Sequence, residues 1–221
     1  MIRFAGQIFE PLPSGALLWR AEMTLLVADL HFEKMASFAW RGQLLPPYDT
    51  GLTLLQLEAD LGRTRAERVV ALGDSFHRED GAAGMLAADR TRLDRLARQA
   101  DWVWLSGNHD PLPHGLAGMS RQDIEIAGIT LAHIPERRPE PLIAGHLHPA
   151  ARVAMNGRTM RAPCFVCDDR LMILPAYGSS TGSLNILSSA FQGLVRHDRM
   201  QVVMTGRDRV YPVSARRLVG G

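Results

Sequence analysis

Short apolar runs that stop abruptly at a polar residue recur through the first half of the chain. Thr24–Ala28 is too short for a helix and ends at Asp29, so it reads as a buried strand. Arg68–Leu72 ends in the same way at Gly73-Asp74, and Trp102–Leu105 at Gly107. Helices are predicted between these runs. Pro46-Pro47 makes a rigid entry, after which Asp49 or Thr50 can cap a helix through Leu52, Leu55 and Leu61. Asp80 is expected to cap another, whose Met85, Leu86, Leu93, Leu96 and Ala97 share one face. Arg90, Arg92, Arg95 and Arg98 fall on its other, solvated side.

Beyond residue 120 the pattern changes to short strands and tight turns. Asp123–Ala127 and Ile129–Ala132 are separated by Gly128, and Pro141–Ala144 ends at Gly145-His146. Arg152–Met155 and Arg158–Arg161 flank Asn156-Gly157, a strong hairpin signal, and Phe165–Val166 and Leu171–Leu174 flank Asp168-Asp169. A β-α-β-α-β half is thus followed by a mostly antiparallel half. The expectation is an α/β fold in which residues 1–221 form a single domain, with two sheets packed together and helices outside.

Composition adds little to that picture. With 46% hydrophobic and 22% charged residues, 221 residues make an ordinary globular chain with a sizeable core. The first six residues lack the features of a signal peptide, and no apolar run approaches the roughly 20 residues of a membrane helix. A cytoplasmic protein with no membrane partner is expected. Net charge is only +2, which does not announce a nucleic-acid binder. Of the 25 basic residues only Lys34 is a lysine; a GC-rich genome explains that bias, and so does bidentate phosphate recognition. Cys164 and Cys167 are too few for a disulfide framework and lack the second pair of a zinc knuckle, so they read as strand thiols. Gly178-Ser179-Ser180-Thr181-Gly182 reads as a turn in preference to a phosphate cradle.

The chemistry sits where the apolar runs stop. Asp29-x-His31, Gly73-Asp74, Gly107-Asn108-His109-Asp110, His133 and Gly145-His146-x-His148 each close a strand. Strands that finish on one sheet edge gather such residues into a single crevice, and residues two apart face one site if the chain stays extended. A lone histidine is commonly a satisfied core or surface residue. Five fragments at five strand ends point instead to one metal-binding site.

In this order the five fragments resemble the calcineurin-like metallophosphoesterase superfamily, whose fold is a two-sheet αββα sandwich. A closer resemblance is to the bacterial ligase-associated DNA damage response endonuclease (PdeM-like) family. It is carried by Asp29–Lys34, by Arg41-Gly42-Gln43-Leu44-Leu45-Pro46-Pro47-Tyr48-Asp49-Thr50 and by Gly73-Asp74-Ser75-Phe76-His77. Met35 departs from the family's glycine and leaves the ligand positions intact. The resemblance implies two divalent metal ions. Asp29, His31, Asp74 and His148 would hold the first, with Asp74 bridging to a second held also by Asn108, His133 and His146. Oxygen and imidazole donors without thiolate suit Mn²⁺ best, and also Fe or Zn²⁺.

The implied reaction is metal-assisted hydrolysis of phosphodiester bonds, with DNA as substrate. His109 would be the proton donor to the leaving group, and Asp110 either orients an imidazole or caps a loop. His77 and Arg78 are candidate phosphate contacts, and Lys34, Arg41, Arg137 and Arg138 candidate edges of a DNA path. The family's usual company implies a DNA ligase and a helicase as partners in repair. A phosphomonoesterase or small-nucleotide phosphodiesterase is the alternative within the same chemistry. A catalytically silent scaffold is the rival outside it, disfavoured because His109 and all the ligand positions are present.

Overall fold

Three strands that the apolar runs do not announce open the chain. In the computed structural model, which describes residues 1–40, 42, 48–155 and 157–220, these are Ile2–Phe4 (β1), Gln7–Pro11 (β2) and Leu17–Trp19 (β3). β1 and β2 meet through Ala5-Gly6, both at positive φ, as a two-residue hairpin loop requires. Arg41, the Pro46-Pro47 entry and Asn156 of the expected turn lie outside the described residues.

The expected strands follow. They are Thr24–Val27 (β4), Arg68–Ala71 (β5) and Asp101–Leu105 (β6), joined at the edge by Met119–Arg121 (β7). Helices Lys34–Trp40 (α1) and Asp49–Thr64 (α2) connect β4 to β5, and Gly81–Gly84 (α3) and Ala87–Gln99 (α4) connect β5 to β6. β1 to β4 pair antiparallel, while β4 to β7 pair parallel. The C-terminal ends of β4, β5 and β6 therefore share one edge.

A second sheet contains Ile124–Ile126 (β8), Ile129–Leu131 (β9), Leu142–Ala144 (β10), Pro149–Met155 (β11), Arg158–Cys167 (β12), Leu171–Ile173 (β13) and Leu184–Asn185 (β14). Gln201–Thr205 (β15) and Val210–Val213 (β16) extend it beside β12. Most pairings are antiparallel, as expected, but β11–β14 is parallel and so are β9, β10 and β13. This last exception matters, because it sends the residues after β9 and β10 to a common edge.

Alternation explains why the early strands read as unbroken apolar runs. Leu26, Val70 and Val103 face Leu131, Ile143 and Phe165 of the second sheet, while Leu25, Val27 and Val69 face Leu54, Leu57 and Leu93 of the helices. Both faces are buried, so no polar alternation is left. The outer face of the second sheet is covered by Ile186, Phe191 and neighbouring short turns, in place of long helices. Among the described residues no helix is long and apolar enough to cross a membrane.

Several local expectations are corrected. Leu54 and Leu57, not Leu52 and Leu55, form the buried side of α2. Neither Asp49 nor Thr50 caps it; Asp49 Oδ2 accepts the Met35 amide at 3.0 Å and Thr50 Oγ1 the Glu33 amide at 2.9 Å, which fastens α1 to α2. The helix expected from Asp80 is interrupted at Met85 and Leu86, both extended, and Leu86 is exposed. Asp80 stands at the N-cap of α3, but its carboxylate pairs with Arg78 and makes no capping hydrogen bond. Arg92 and Arg95 lie against Glu58 of α2, so that face of α4 is bridged and not merely solvated.

Candidate metal centre

The loops after β4 and β5 keep pairing once the strands have ended. His31 N donates to Asp74 O at 2.9 Å, Phe32 N to Ser75 O at 2.9 Å, and His77 N to Phe32 O at 3.0 Å. Asp29, His31 and Asp74 nevertheless stand at φ 53°, 44° and 47°, and His146 and His148 at 72° and 46°. These are left-handed conformations that cost L-residues about 1 kcal/mol or more each. The extended Asp-x-His and His-x-His geometry expected from the spacing is thus replaced by tight turns. The turns divide each pair differently: Asp29 and His31 stay together, whereas His146 and His148 separate into two groups.

Those groups are Asp29, His31 and His148 on one side, and Asp74, His133 and His146 on the other. In each, the ligand-capable atoms lie within 4.8 Å of one another. In the first, Nε2 of His31 and Nε2 of His148 are 3.2 Å apart, and His148 Nε2 is 3.4 Å from Asp29 Oδ1. In the second, His133 Nε2 stands 3.1 Å from His146 Nδ1 and 3.0 Å from Asn108 Oδ1. Asp74 Oδ2 lies between the groups, 3.9 Å from His31 Nε2 and 3.4 Å from His133 Nε2.

Hydrogen bonds on the far side of the rings decide which atoms face inward. A carbonyl can only accept, so His133 Nδ1–H donates to Leu72 O at 2.9 Å and His148 Nδ1–H to Gly182 O at 3.1 Å. In the neutral rings both Nε2 atoms are then bare lone pairs aimed at other acceptors. Such a convergence favours a cation between the groups. Burial works against both charges, but their hydrogen bond and mutual attraction hold Asp74 below and His133 above their ordinary ranges. His31 is held down by burial and by His148. The donor set and its geometry fit divalent ions, with the far-side carbonyls orienting the ligands.

Glycine lets the loops approach. A Cβ at Gly107 would stand 2.1 Å from Asp74 N and 2.2 Å from Asp74 Oδ1, and one at Gly178 would stand 2.1 Å from Leu30 O.

Comparison with solved structures fits this arrangement. Pseudomonas putida nuclease MPE is 27% identical over 96% of this chain and 98% of its own, with a TM-score of 0.73. The chain has a metallophosphoesterase-type fold, related to that nuclease. YfcE, a phosphoesterase from E. coli, covers 89% of this chain and 96% of its own at 14% identity, with a TM-score of 0.40, too low to argue from. No family model and no curated protein matches the chain.

Within this metallophosphoesterase-type fold, the other expected site residues take varied places. His109 borders the first group, its ring 5.2 Å from that of His31. Its backbone amide donates to Asp74 Oδ1 at 2.9 Å, and its Nδ1–H to the His77 carbonyl at 3.1 Å. Asp110 therefore does not orient that imidazole. Buried, it accepts the amides of Phe76 at 3.0 Å and Gly107 at 3.2 Å, tying the loop after β5 to the loop after β6. Burial pushes its carboxyl up to about 7.

His77 stacks on His109 at 5.0 Å and forms, with His31 and His109, a further set of close imidazoles. Arg78 points to Asp80. Lys34 opens α1, half-buried, with burial lowering its pKa. Arg137 holds buried Asp168 at 3.0 Å, and Arg138 lies between Glu136 and Glu140 at 3.5 Å from each. Cys164 and Cys167 are buried free thiols that join different apolar clusters, facing apart.

One support escaped the sequence reading. The turn at Gly178–Gly182, far from the motifs in sequence, underlies the centre. Tyr177 N and Gly178 N bond to Ala28 O and Asp29 O, and Gly182 O holds the His148 ring.

Proposed function

We propose that this chain is a hydrolase of phosphodiester bonds that uses two divalent metal ions and takes DNA as substrate. The observation that carries the reading is Asp74 Oδ2 standing between two sets of converging lone pairs. Asp29, His31, Asp74 and His148 would hold one ion, and Asp74, Asn108, His133 and His146 the other, with Mn²⁺ favoured and Fe or Zn²⁺ suitable. Bound there, such ions supply Lewis-acid charge and a water acidic enough to attack phosphorus near neutral pH.

The chain's own side chains do the rest. Asp74 spends Oδ1 on the His109 amide and leaves Oδ2 for the ions. The His77 carbonyl holds His109 Nδ1–H, which leaves Nε2 to carry a proton to the leaving oxygen. Exposed Asn108 and half-buried His109 mark the open side, by which a substrate enters. Both sheets contribute ligands, so the whole chain acts as one domain in this reading. The likeness to a nuclease supports a nucleic acid substrate, and the resemblance of motifs supports DNA and a place in its repair beside a ligase and a helicase.

The test is hydrolysis of an aryl phosphodiester, an aryl phosphomonoester and plasmid DNA by purified protein with Mn²⁺, Fe²⁺ or Zn²⁺. Diester hydrolysis and DNA nicking are expected. Monoester turnover alone would replace the reading with a phosphomonoesterase, and diester turnover without nicking with a small-nucleotide enzyme. Inactivity with every metal would leave a scaffold.

A further inference from the structure

The small net charge conceals a segregation. Residues 141–221 carry ten arginines against four aspartates and no glutamate, whereas residues 1–140 carry 19 acidic against 15 basic side chains. Of those ten arginines, Arg152 is the first after the proposed ligand His148 and stands on the β11–β12 hairpin. β11 begins at Pro149, immediately after His148, and pairs with β12 so that Arg152 and Arg161 are directly opposite. Ala151, Val153 and Ala162 turn to the outer apolar cluster with Leu218. Alternation puts Arg152 and Arg161 on the other face. Arg161 Nη2 donates to Ser183 O at 2.6 Å, one peptide from the Gly182 carbonyl that holds the His148 ring.

Like charges directly opposite across an antiparallel pair destabilise it. Elsewhere the fold neutralises arginines with acids, as at Arg63, Arg68, Arg92 and Arg137. Here it does not. No acidic residue occurs from Pro141 to Cys167, or from Leu171 to His197. Among the described residues no salt bridge joins Arg152 or Arg161 to a carboxylate.

We propose that the Arg152–Arg161 face of this hairpin binds the phosphates of a nucleic acid strand that flank the one at the metal centre, an inference that rests on the phosphodiesterase reading above. Guanidinium suits phosphate, and contacts of this kind position a strand without reading its sequence. Arg152 follows His148 by four residues, roughly 13 Å of extended chain. That is too far to touch the reacting phosphate and suited to its neighbours. A small diester ends before reaching the hairpin and gains nothing from it.

The test compares full-length, Mn²⁺-loaded wild type with Arg152→Ala and with the Arg152→Ala/Arg161→Ala double variant. Turnover of a labelled DNA oligonucleotide is measured beside that of an aryl diester, and oligonucleotide binding by anisotropy across a salt series. In the double variant the ratio of oligonucleotide to aryl-diester turnover should fall about tenfold. The log–log salt slope of binding should shrink by about 1.4–1.8, the value of two phosphate contacts, with Arg152→Ala giving about half. An unchanged ratio and slope overturn the proposal and leave the face to another partner, such as an acidic protein. A loss confined to the variant lacking Arg161 also overturns it, because that pattern reports damage to the support of His148. If wild type turns over neither substrate the hydrolase reading fails, and the salt slope alone still decides the surface: a smaller slope sustains it and an unchanged one overturns it.

Discussion

The backbone amide of His109 donates to Oδ1 of Asp74 at 2.9 Å, so the loop that presents the proposed proton donor hangs from the carboxylate between the two ligand groups. Removing that carboxylate should remove metal and misplace His109 together. For Asp74→Ala, metal content by plasma mass spectrometry should fall from two ions per chain to fewer than one, and diester turnover by more than about a hundredfold. Retention of both ions would refute the bridging role.

His109 belongs to neither proposed ligand set, and the His77 carbonyl holds its Nδ1–H. His109→Ala should therefore keep both metals. Its rate should drop by ~10²–10⁴-fold on substrates with poor leaving groups and far less on p-nitrophenyl esters, whose leaving group needs no proton. Equal losses across a leaving-group series would take His109 out of the acid role.

Asp110 serves two loops at once. Asp110→Ala leaves the buried amides of Gly107 and Phe76 without their acceptor, at a cost of about 2–4 kcal/mol by chemical denaturation. Because Gly107 leads into Asn108 and Phe76 follows Asp74, Mn²⁺ affinity should also weaken by about 10–100-fold. Lost stability with wild-type metal affinity would show that the two loops are held by other means.

Asp168 gives the pH dependence. It accepts the amides of Arg196 at 2.8 Å, Arg170 at 2.8 Å and Leu171 at 3.0 Å, and the Arg137 guanidinium at 3.0 Å. Burial opposes its charge, but these donors outweigh burial and hold its pKa below the usual carboxylate value. A carboxylate whose folded pKa is depressed stabilises the fold above its unfolded pKa of about 3.9, and that contribution drains away as pH falls through the lower folded value. Melting temperature should therefore fall below about pH 4, and Asp168→Asn should flatten that acid limb. An unaltered limb would assign the acid sensitivity to other groups.

What could be read in advance follows from which forces leave a mark on residue type. β4, β5 and β6 are legible because burial on both faces writes a continuous apolar run, and the residues that end them stand out by contrast. β1 and β2 are not, being short strands with Arg3 and Ile8 exposed. The Ala16–Trp19 run of β3 is as long as Trp102–Leu105 but lacks a ligand-type residue at its end to draw the eye. The Asp29 and His31 turns are invisible for a different reason: left-handed backbone at a non-glycine is imposed by the surroundings and favoured by neither residue. Contacts from side chain to carbonyl, such as His109 to His77 and His148 to Gly182, leave no trace either, because every residue owns a carbonyl. Asp110 is open between two roles in the sequence for the same reason; its carboxylate accepts two loop amides and has the His114 ring 3.8 Å away.

The reach of the Gly178–Gly182 turn has a consequence for how the protein comes into being. His148 is the last of the proposed ligands to be made, but its ring is held by a carbonyl 34 residues further along, and the floor under Asp29 and Leu30 arrives with Gly178. A nascent chain emerging as far as β11 thus owns every ligand and cannot yet hold them in place. On the two-metal reading, tight metal binding is expected only of a chain that extends past Gly182.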